Sequence, residues 1–433
     1  MRHPANGPAV MLGESTSFFP AQLASYWRSK GIEVVLVTHR PDAGATLEDG
    51  TPVVRSRKYE TRTTRAITGT LMNPVLTRME RLVPRFKNRF TRITGVSADT
   101  ELWLPYFAEY VTAAWPTSRA ALAQQPRFVF GHEVITYGLA TAFCRGVPRI
   151  IFPWGGDVFT YAESSPFHFA LTRFCLRSVD LILPSSTTAA HHICRRFKVS
   201  PGKVKAVSWG VDRNKFKRAE GEQKEALCVR WNIDPKATIV LNPRRFRPDW
   251  GAFVSLEAFM KIASENASTH FILFGGRHTE QYTAQARTEI SQRGLSARFT
   301  ILEGEASLDV CAELMSISDV FVSLLGRGDM RSASVLQAAA AGAAPVISDN
   351  PEYREMERCG FNALFVTPDS TAEVVNALRH YINDPEKVRD VVAQNDRYLA
   401  QYEDYSTQMD HILSLIAGVC EQYARPRYTR ATR

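Results

Sequence analysis

Between Ser323 and Ser348 the chain reads SLLGRGDMRSASVLQAAAAGAAPVIS: an apolar run, a glycine-rich turn, a helical stretch, a glycine stop and a second apolar run. A helix that opens between Arg331 and Ser334 leaves amides around Ser332 and Ala333 without partners inside the helix, and it puts the positive end of its dipole there. Such an end is a seat for a diphosphate. Arg245, just past the apolar run Thr238 to Leu241, adds a guanidinium whose fork of N–H groups matches phosphate oxygens. The chemistry these residues suit is the binding of an anionic, phosphorylated ligand.

Other phosphate and nucleophile motifs do not fit. GRGDMR lacks the third glycine of a dinucleotide fingerprint, so a nicotinamide site is rejected. There is no Walker A loop, no Gly-x-Ser-x-Gly elbow and no His/Cys group at metal-ligand spacing. His191 and His192 are adjacent, so they leave a helix in different directions and read as surface residues.

These residues need elements to hold them. Short apolar runs of strand length recur with helical stretches between them: Glu33 to Thr38, Phe128 to Phe130, Arg149 to Phe152 and Asp180 to Pro184 in the first half. In the second half the runs are Thr238 to Leu241, His270 to Phe274, Arg298 to Leu302, Asp319 to Leu325, Ala344 to Ile347 and Ala363 to Val366. Alternating strands and helices predict parallel sheets covered on both faces, hence two doubly wound α/β domains. Ligands of such sheets bind outside the carboxyl ends of the strands. The residues found there are Gly13, His132 and the Trp154-Gly155-Gly156-Asp157 turn in the first half, and Arg244, Arg245, Gly275, Gly276 and the loop Gly326 to Ser332 in the second. Two such rims facing across a linker would form a cleft for a large, polar, charged ligand.

The bulk numbers agree with two domains, since 433 residues exceed one ordinary core. The expected boundaries are 1–210 for the first domain and 211–404 for the second, with the polar, basic stretch Trp209 to Arg218 as linker. Residues 405–424 form a last helix that either extends the second domain or packs back on the first, and 425–433 form a basic tail. Seven cysteines without a Cys-x-x-Cys pair suit neither a disulfide framework nor a zinc ribbon, and fit a reducing compartment. No apolar stretch of signal-peptide length follows MRHPANGP and no run approaches a membrane span, so a cytoplasmic protein is expected. Residues 55–92 carry eleven Lys or Arg against Glu60 and Glu80. Two readings are open for them: a solvated loop and helix, or a peripheral contact with an anionic membrane surface. No nucleic-acid module accompanies the charge, so nucleic acid is not an expected partner.

From Arg298 to Pro368 the order and spacing of RFTILEGEASLDVCAELMSISDVFVSLL, the helix above, GAAPVISDNPEYREM and GFNALFVTPD resemble the donor domain of the family-four retaining glycosyltransferases of GT-B architecture. Weaker echoes are GVDRNKF, RFRPDWGAFVSLEAF, GHEVITYG and FPWGGDVF. The resemblance implies two Rossmann-like domains and transfer of a sugar, with retention of configuration, from a nucleotide sugar to a hydroxyl acceptor in polysaccharide or glycoconjugate biosynthesis. It implies no metal and no cofactor beyond the nucleotide-sugar co-substrate. The family places two glutamates with seven residues between them, one near the donor sugar and one on the ribose; here they are Asp329 and Gln337. A family arginine matches Arg245, but Trp250 stands five residues on, where the family has lysine, and Arg247 or Arg244 is expected to supply that charge. Arg331, Ser332, Ala333 and Gly275 join the donor site.

His132 matches a first-domain histidine beside the donor sugar, although a histidine past a strand is otherwise more often structural. Asp157 reads equally as a turn cap and as a ligand for acceptor hydroxyls, and Gly13 lies on the same rim. Glu355 matches a family carboxylate or is a solvated helix residue. The implied chemistry has Arg245 and the amides near Ser332 stabilise the leaving diphosphate, while the acceptor attacks on the face the sugar leaves and the phosphate takes its proton. Were residues 55–92 to touch lipid, the acceptor would be lipid-linked. Gln337 and Trp250 also suit a catalytically silent nucleotide-sugar-binding partner subunit; an epimerase fits the linker and the SDNPEYRE segment less well, and a glycoside hydrolase would have no use for a phosphate seat.

Overall fold

The structure, a computed structural model, describes residues 7–14, 18–39, 44, 46–56, 103–164, 166–276, 279–304, 306–325 and 331–424. Each of two units is built on a six-stranded parallel sheet. In the first, β1 (Ala9–Leu12), β2 (Val34–Thr38), β3 (Val53–Arg55), β4 (Phe128–His132), β5 (Arg149–Phe152) and β6 (Leu181–Ile182) lie in the order β3-β2-β1-β4-β5-β6. In the second, β7 (Thr238–Arg245), β8 (Thr269–Phe274), β9 (Phe299–Leu302), β10 (Val320–Ser323), β11 (Ala344–Ser348) and β12 (Leu364–Val366) lie in the order β12-β11-β10-β7-β8-β9. Read from the first strand of each unit, both are the doubly wound order 3-2-1-4-5-6, whose direction of winding reverses between β1 and β4 and between β7 and β10.

The strand sequences explain why both faces must be covered. AVML is apolar throughout, VVLVT and APVIS are apolar up to their closing Thr38 and Ser348, and all three are buried at every position. In the second sheet, successive residues of a strand enter different clusters: Ile239 and Leu241 one, Val240 the other; Ile272 and Phe274 against Phe271 and Leu273; Phe321 against Val320 and Val322. This period of two is what a pleated strand sandwiched between two helical layers requires. In the first unit, α1 (Phe18–Ser29) covers its sheet with Trp27, whose ring meets Phe128 and Phe130 edge-on at 5.3 and 5.4 Å. Each such fully buried side chain contributes roughly 1.5–3 kcal/mol.

All ten apolar runs read from the sequence fall on strands; β1 and β3 were not among them. β1 is only four residues long, and β3 is a three-residue edge strand with its residues half-buried or exposed. The glycine stop is present at Gly342, which ends α11 (Ala333–Ala340) with φ 83°. A Cβ there would come 2.9 Å from Arg218 Cδ, so both backbone conformation and space call for glycine.

The units divide as Met1–Ala206 with Ile412–Arg433, and Val207–His411. The stretch expected as a linker, Trp209 to Arg218, is in large part packed: the Val211 amide donates to Glu403 O at 2.8 Å, and Val211 and Phe216, at 2% and 1% exposure, join the second unit's core. Its charged residues masked two buried anchors. The last helix, α15 (Tyr405–Ala424), is shared between the units, and Tyr423 donates its hydroxyl to Asp180 of the first at 2.8 Å. Residues 57–92 and 425–433 lie outside the described residues.

Candidate active site

In the first unit the sheet reverses between β1 and β4, and Gly13 and His132 stand at the carboxyl ends of these two strands. They are neighbours: a Cβ on Gly13 would lie 3.6 Å from His132 Cβ and 3.2 Å from Pro20 Cγ. His132 is 4% exposed, and its Nδ1 accepts from the Trp154 indole N–H at 3.2 Å. Burial pushes its pKa down to about 3. The imidazole is therefore neutral near pH 7, and with Nδ1 accepting, its proton sits on Nε2.

Asp157 builds this arrangement. Its carboxylate, 4% exposed, accepts the backbone N–H of Trp154 and Gly155, each at 3.0 Å, and that of Val134 at 2.8 Å. One side chain thus ties the turn after β5 to the turn after β4. The chain reaches that geometry through Glu133 in the left-handed region at φ 67°, a position costly for a side-chain-bearing residue, held by its own N–H to Phe152 O at 3.0 Å. Burial raises the Asp157 pKa to about 6, with the backbone N–H donors of Val134, Trp154, Gly155 and Asp157 itself pulling the other way. Of the two readings open for Asp157, the turn cap describes these bonds.

In the second unit the reversal lies between β7 and β10, where Arg244 and Arg245 close β7. Arg244 Nε donates to Ser323 Oγ, the last residue of β10, at 2.9 Å, bridging the two strands. The stem of Arg245 packs on Gly276, where φ is 106° and a Cβ would meet Arg245 Cγ at 2.7 Å. Gly275 is pressed against β9, its amide donating to Leu302 O at 2.8 Å. Arg247 lies with its guanidinium 5.4 Å from the centroid of the Trp250 ring, so the residue at the lysine position carries a cation stacked on it.

Ser332 caps α11, accepting Ser334 N at 3.3 Å on its hydroxyl. Its own amide donates to the buried Tyr353 hydroxyl at 3.4 Å, and Tyr353 is set by Asn350, the cap of α12 (Pro351–Arg358), through a 3.0 Å bond. Ala333 and Gln337 are half-buried on α11. Asp329 lies outside the described residues.

Arg331, expected among the donor ligands, is held by an ion pair within its own unit. Its Nη1 donates to Glu403 Oε1 at 2.8 Å, with side-chain exposures of only 12% and 2%. Glu403 also accepts the Tyr398 hydroxyl at 2.9 Å and the Ser208 hydroxyl. Burial opposes the charge on Arg331, yet Glu403, Tyr398, Glu355 and Tyr353 together raise its pKa. Glu355, half-buried on α12, is thus within electrostatic reach of Arg331. Glu403, Tyr398 and Ser208 were not legible in the sequence: they share no motif, and Ser208 is 195 positions from Glu403. Trp154 carried one available signal, an indole N–H that must find an acceptor wherever it is removed from water.

Of the adjacent histidines, His191 is exposed as expected, whereas His192 is half-buried, its Nε2 3.3 Å from Val158 O and its ring 4.5 Å from that of Phe159. Among the described residues no group of three or more His, Cys, Asp or Glu is placed to hold a metal, and no helix is long and apolar enough to cross a membrane.

Residues 19–215 match the model of Glycosyltransferase Family 4, and residues 223–397 that of Glycosyl transferases group 1. No curated protein matches the sequence. Among solved structures, the sucrose-phosphate synthase of Thermosynechococcus elongatus superposes with a TM-score of 0.73 at 14% identity, covering 96% of this chain and 100% of that one. Anabaena HepE in complex with UDP-glucose gives 0.68 at 14%, covering 95% and 100%. The catalytic domain of Starch Synthase IV from Arabidopsis thaliana, bound to ADP and acarbose, gives 0.68 at 10%, covering 96% and 100%. The two family matches follow one another along the chain, and the paired doubly wound sheets carry the architecture of the matched structures: the protein is a family 4, group 1 glycosyltransferase of GT-B fold.

Proposed function

We propose that this glycosyltransferase moves a sugar, with retention of configuration and without a metal, from a nucleoside-diphosphate sugar to a hydroxyl acceptor. The observation that carries the reading is the cationic rim at the β7/β10 reversal, where Arg244, Arg245 and Arg247 stand in the same unit as the capped amino end of α11. Arg245 and the α11 amides hold the diphosphate and neutralise charge as it leaves. Gln337 hydrogen-bonds a ribose hydroxyl, Asp329 serves the sugar, and the neutral Nε2–H of His132 donates to a sugar oxygen. The acceptor oxygen bonds to the anomeric carbon as the sugar–phosphate bond breaks on the same face, and its proton passes to the departing phosphate. The HepE structure holds UDP-glucose and that of the starch synthase holds ADP, so uracil and adenine donors are the first to try.

A second reading, a donor-binding subunit that turns nothing over, is favoured by Gln337 and Trp250 standing where the family has charged residues. Thermal-shift titration with UDP, ADP, GDP, CDP and dTDP, followed by anomeric NMR of the product in EDTA, separates the two. The transferase reading expects one nucleotide to stabilise by about 2.7 kcal/mol at a hundred times its Kd, a loss of that shift in Arg245→Ala, and a product of unchanged configuration. Binding without any product supports the silent subunit, and an inverted product or one that requires metal overturns the proposed mechanism.

A further inference from the structure

Three features of the first unit converge on Trp154. Its indole N–H points at Nδ1 of His132 at 3.2 Å, the two ring centroids being 5.8 Å apart. Its backbone is fixed by Asp157, whose Oδ1 accepts the amides of both Trp154 and Gly155 at 3.0 Å. Its ring is wedged by Phe19, packed edge-on with centroids 4.4 Å apart. An indole can only donate, and a neutral imidazole has one donor and one acceptor nitrogen. A donor fixed opposite Nδ1 selects the acceptor state there and sends the proton to Nε2.

We infer that Trp154 is a positioning residue for the transfer reaction: its N–H locks His132 in the Nε2–H tautomer and in one ring orientation, while Asp157 holds Trp154 in place. The inference rests on the transferase reading for its catalytic consequence, but the tautomer itself is a property of the free protein. A buried donor aimed at the second nitrogen of a working histidine serves here as a buried carboxylate does elsewhere, with one difference in kind. A carboxylate accepts from Nδ1 and favours the imidazolium; an indole donates to Nδ1 and opposes protonation there. The site is therefore built for a neutral donor that stays a donor across the working pH range, and not for a proton shuttle.

Long-range 15N–1H correlation spectra of the full chain, labelled at histidine and assigned with His132→Gln, test this directly. The wild type is expected to show His132 with a protonated Nε2 and a hydrogen-bonded, unprotonated Nδ1, unchanged between about pH 5 and 8. Replacing Trp154 by phenylalanine, or by the benzothienyl isostere of tryptophan that keeps the shape and lacks the N–H, should move the Nδ1 resonance toward that of a non-bonded nitrogen. It should lower kcat about tenfold with little change in donor KM, the effect of losing one positioning hydrogen bond. A proton on Nδ1 in the wild type overturns the tautomer assignment, and an isostere variant with unchanged kcat overturns the positioning role. If the spectra are as expected and no sugar is transferred by the wild type, it is the transferase reading that fails.

Discussion

The two units share one strand order and put their candidate site residues at the same topological place, yet the rims differ in kind. The first unit's rim is closed on itself: His132, Trp154 and Asp157 are neutral or deeply buried and already paired. The second unit's rim is cationic, with Arg244 and Arg245 at the end of β7 and Arg247 at the start of the turn that follows. A common scaffold fixes where side chains converge; desolvation and charge decide what they can do there. The first rim holds one imidazole in a fixed orientation, and the second gathers positive charge.

The largest test of this contrast falls on Arg331, whose guanidinium is buried against Glu403. Arg331→Met leaves Glu403 buried beside Tyr398 and Ser208 without its counter-charge, and should cost about 3–5 kcal/mol in urea unfolding. Arg331→Met combined with Glu403→Gln should recover most of that loss. If the double variant also keeps wild-type donor affinity, Arg331 is a strut for the entry to α11; a weakened donor Kd would place it among the ligands.

Somewhat smaller is the effect of the Asp157 carboxylate, and here pH gives the sign. Its folded pKa of about 6 lies above the ordinary 3.8, so its contribution to stability is fully present below about pH 4 and is lost as pH rises through 6. His132, pushed from 6.5 down to about 3, works oppositely: its contribution is present above about 6.5 and is lost as pH falls toward 3. In the wild type the two largely offset each other between pH 4 and 6. Asp157→Asn removes one side, so on acidification from pH 7 to 4 the variant should lose about 3 kcal/mol more than the wild type, at 1.36 kcal/mol per pKa unit. Parallel pH profiles in the two proteins would show that the carboxylate is not desolvated as the structure has it.

How much of this was legible beforehand follows from how local each signal is. Strands buried on both faces announce themselves as apolar runs, so ten of them, the α/β class and the carboxyl-end rims could be read from residues that are neighbours in sequence. Gly342 and the α11 cap were readable for the same reason. Arg331 could not be placed, because its partner Glu403 is 72 positions away and Tyr398 and Ser208 carry no motif. Nor could Trp209 to Arg218 be seen as packed, since Val211 and Phe216 alternate with charges that dominate the local pattern. His132 was found by resemblance and position. Its protonation state required the indole of Trp154, which only the pairing of β4 with β5 brings alongside.

The smallest expected effect bears on the substitution that most separates this second rim from its family. Trp250 removes a cation where lysine is usual, and Arg247 stacks on it at 5.4 Å. An arginine held over an indole loses less side-chain freedom when it binds phosphate than a free lysine would, and its fork can take two oxygens at once. If Arg247 replaces the missing charge, Arg247→Ala should weaken nucleoside-diphosphate binding about tenfold by calorimetry, and Trp250→Ala should weaken it less, by loosening the cation without removing it. Trp250→Lys should then rescue Arg247→Ala, since it restores the family charge five residues after Arg245. An unchanged Kd in Arg247→Ala would instead leave the diphosphate to Arg245, Arg244 and the α11 amides, and would make the Arg247–Trp250 stack a device for packing the turn into α8 (Ala252–Glu265).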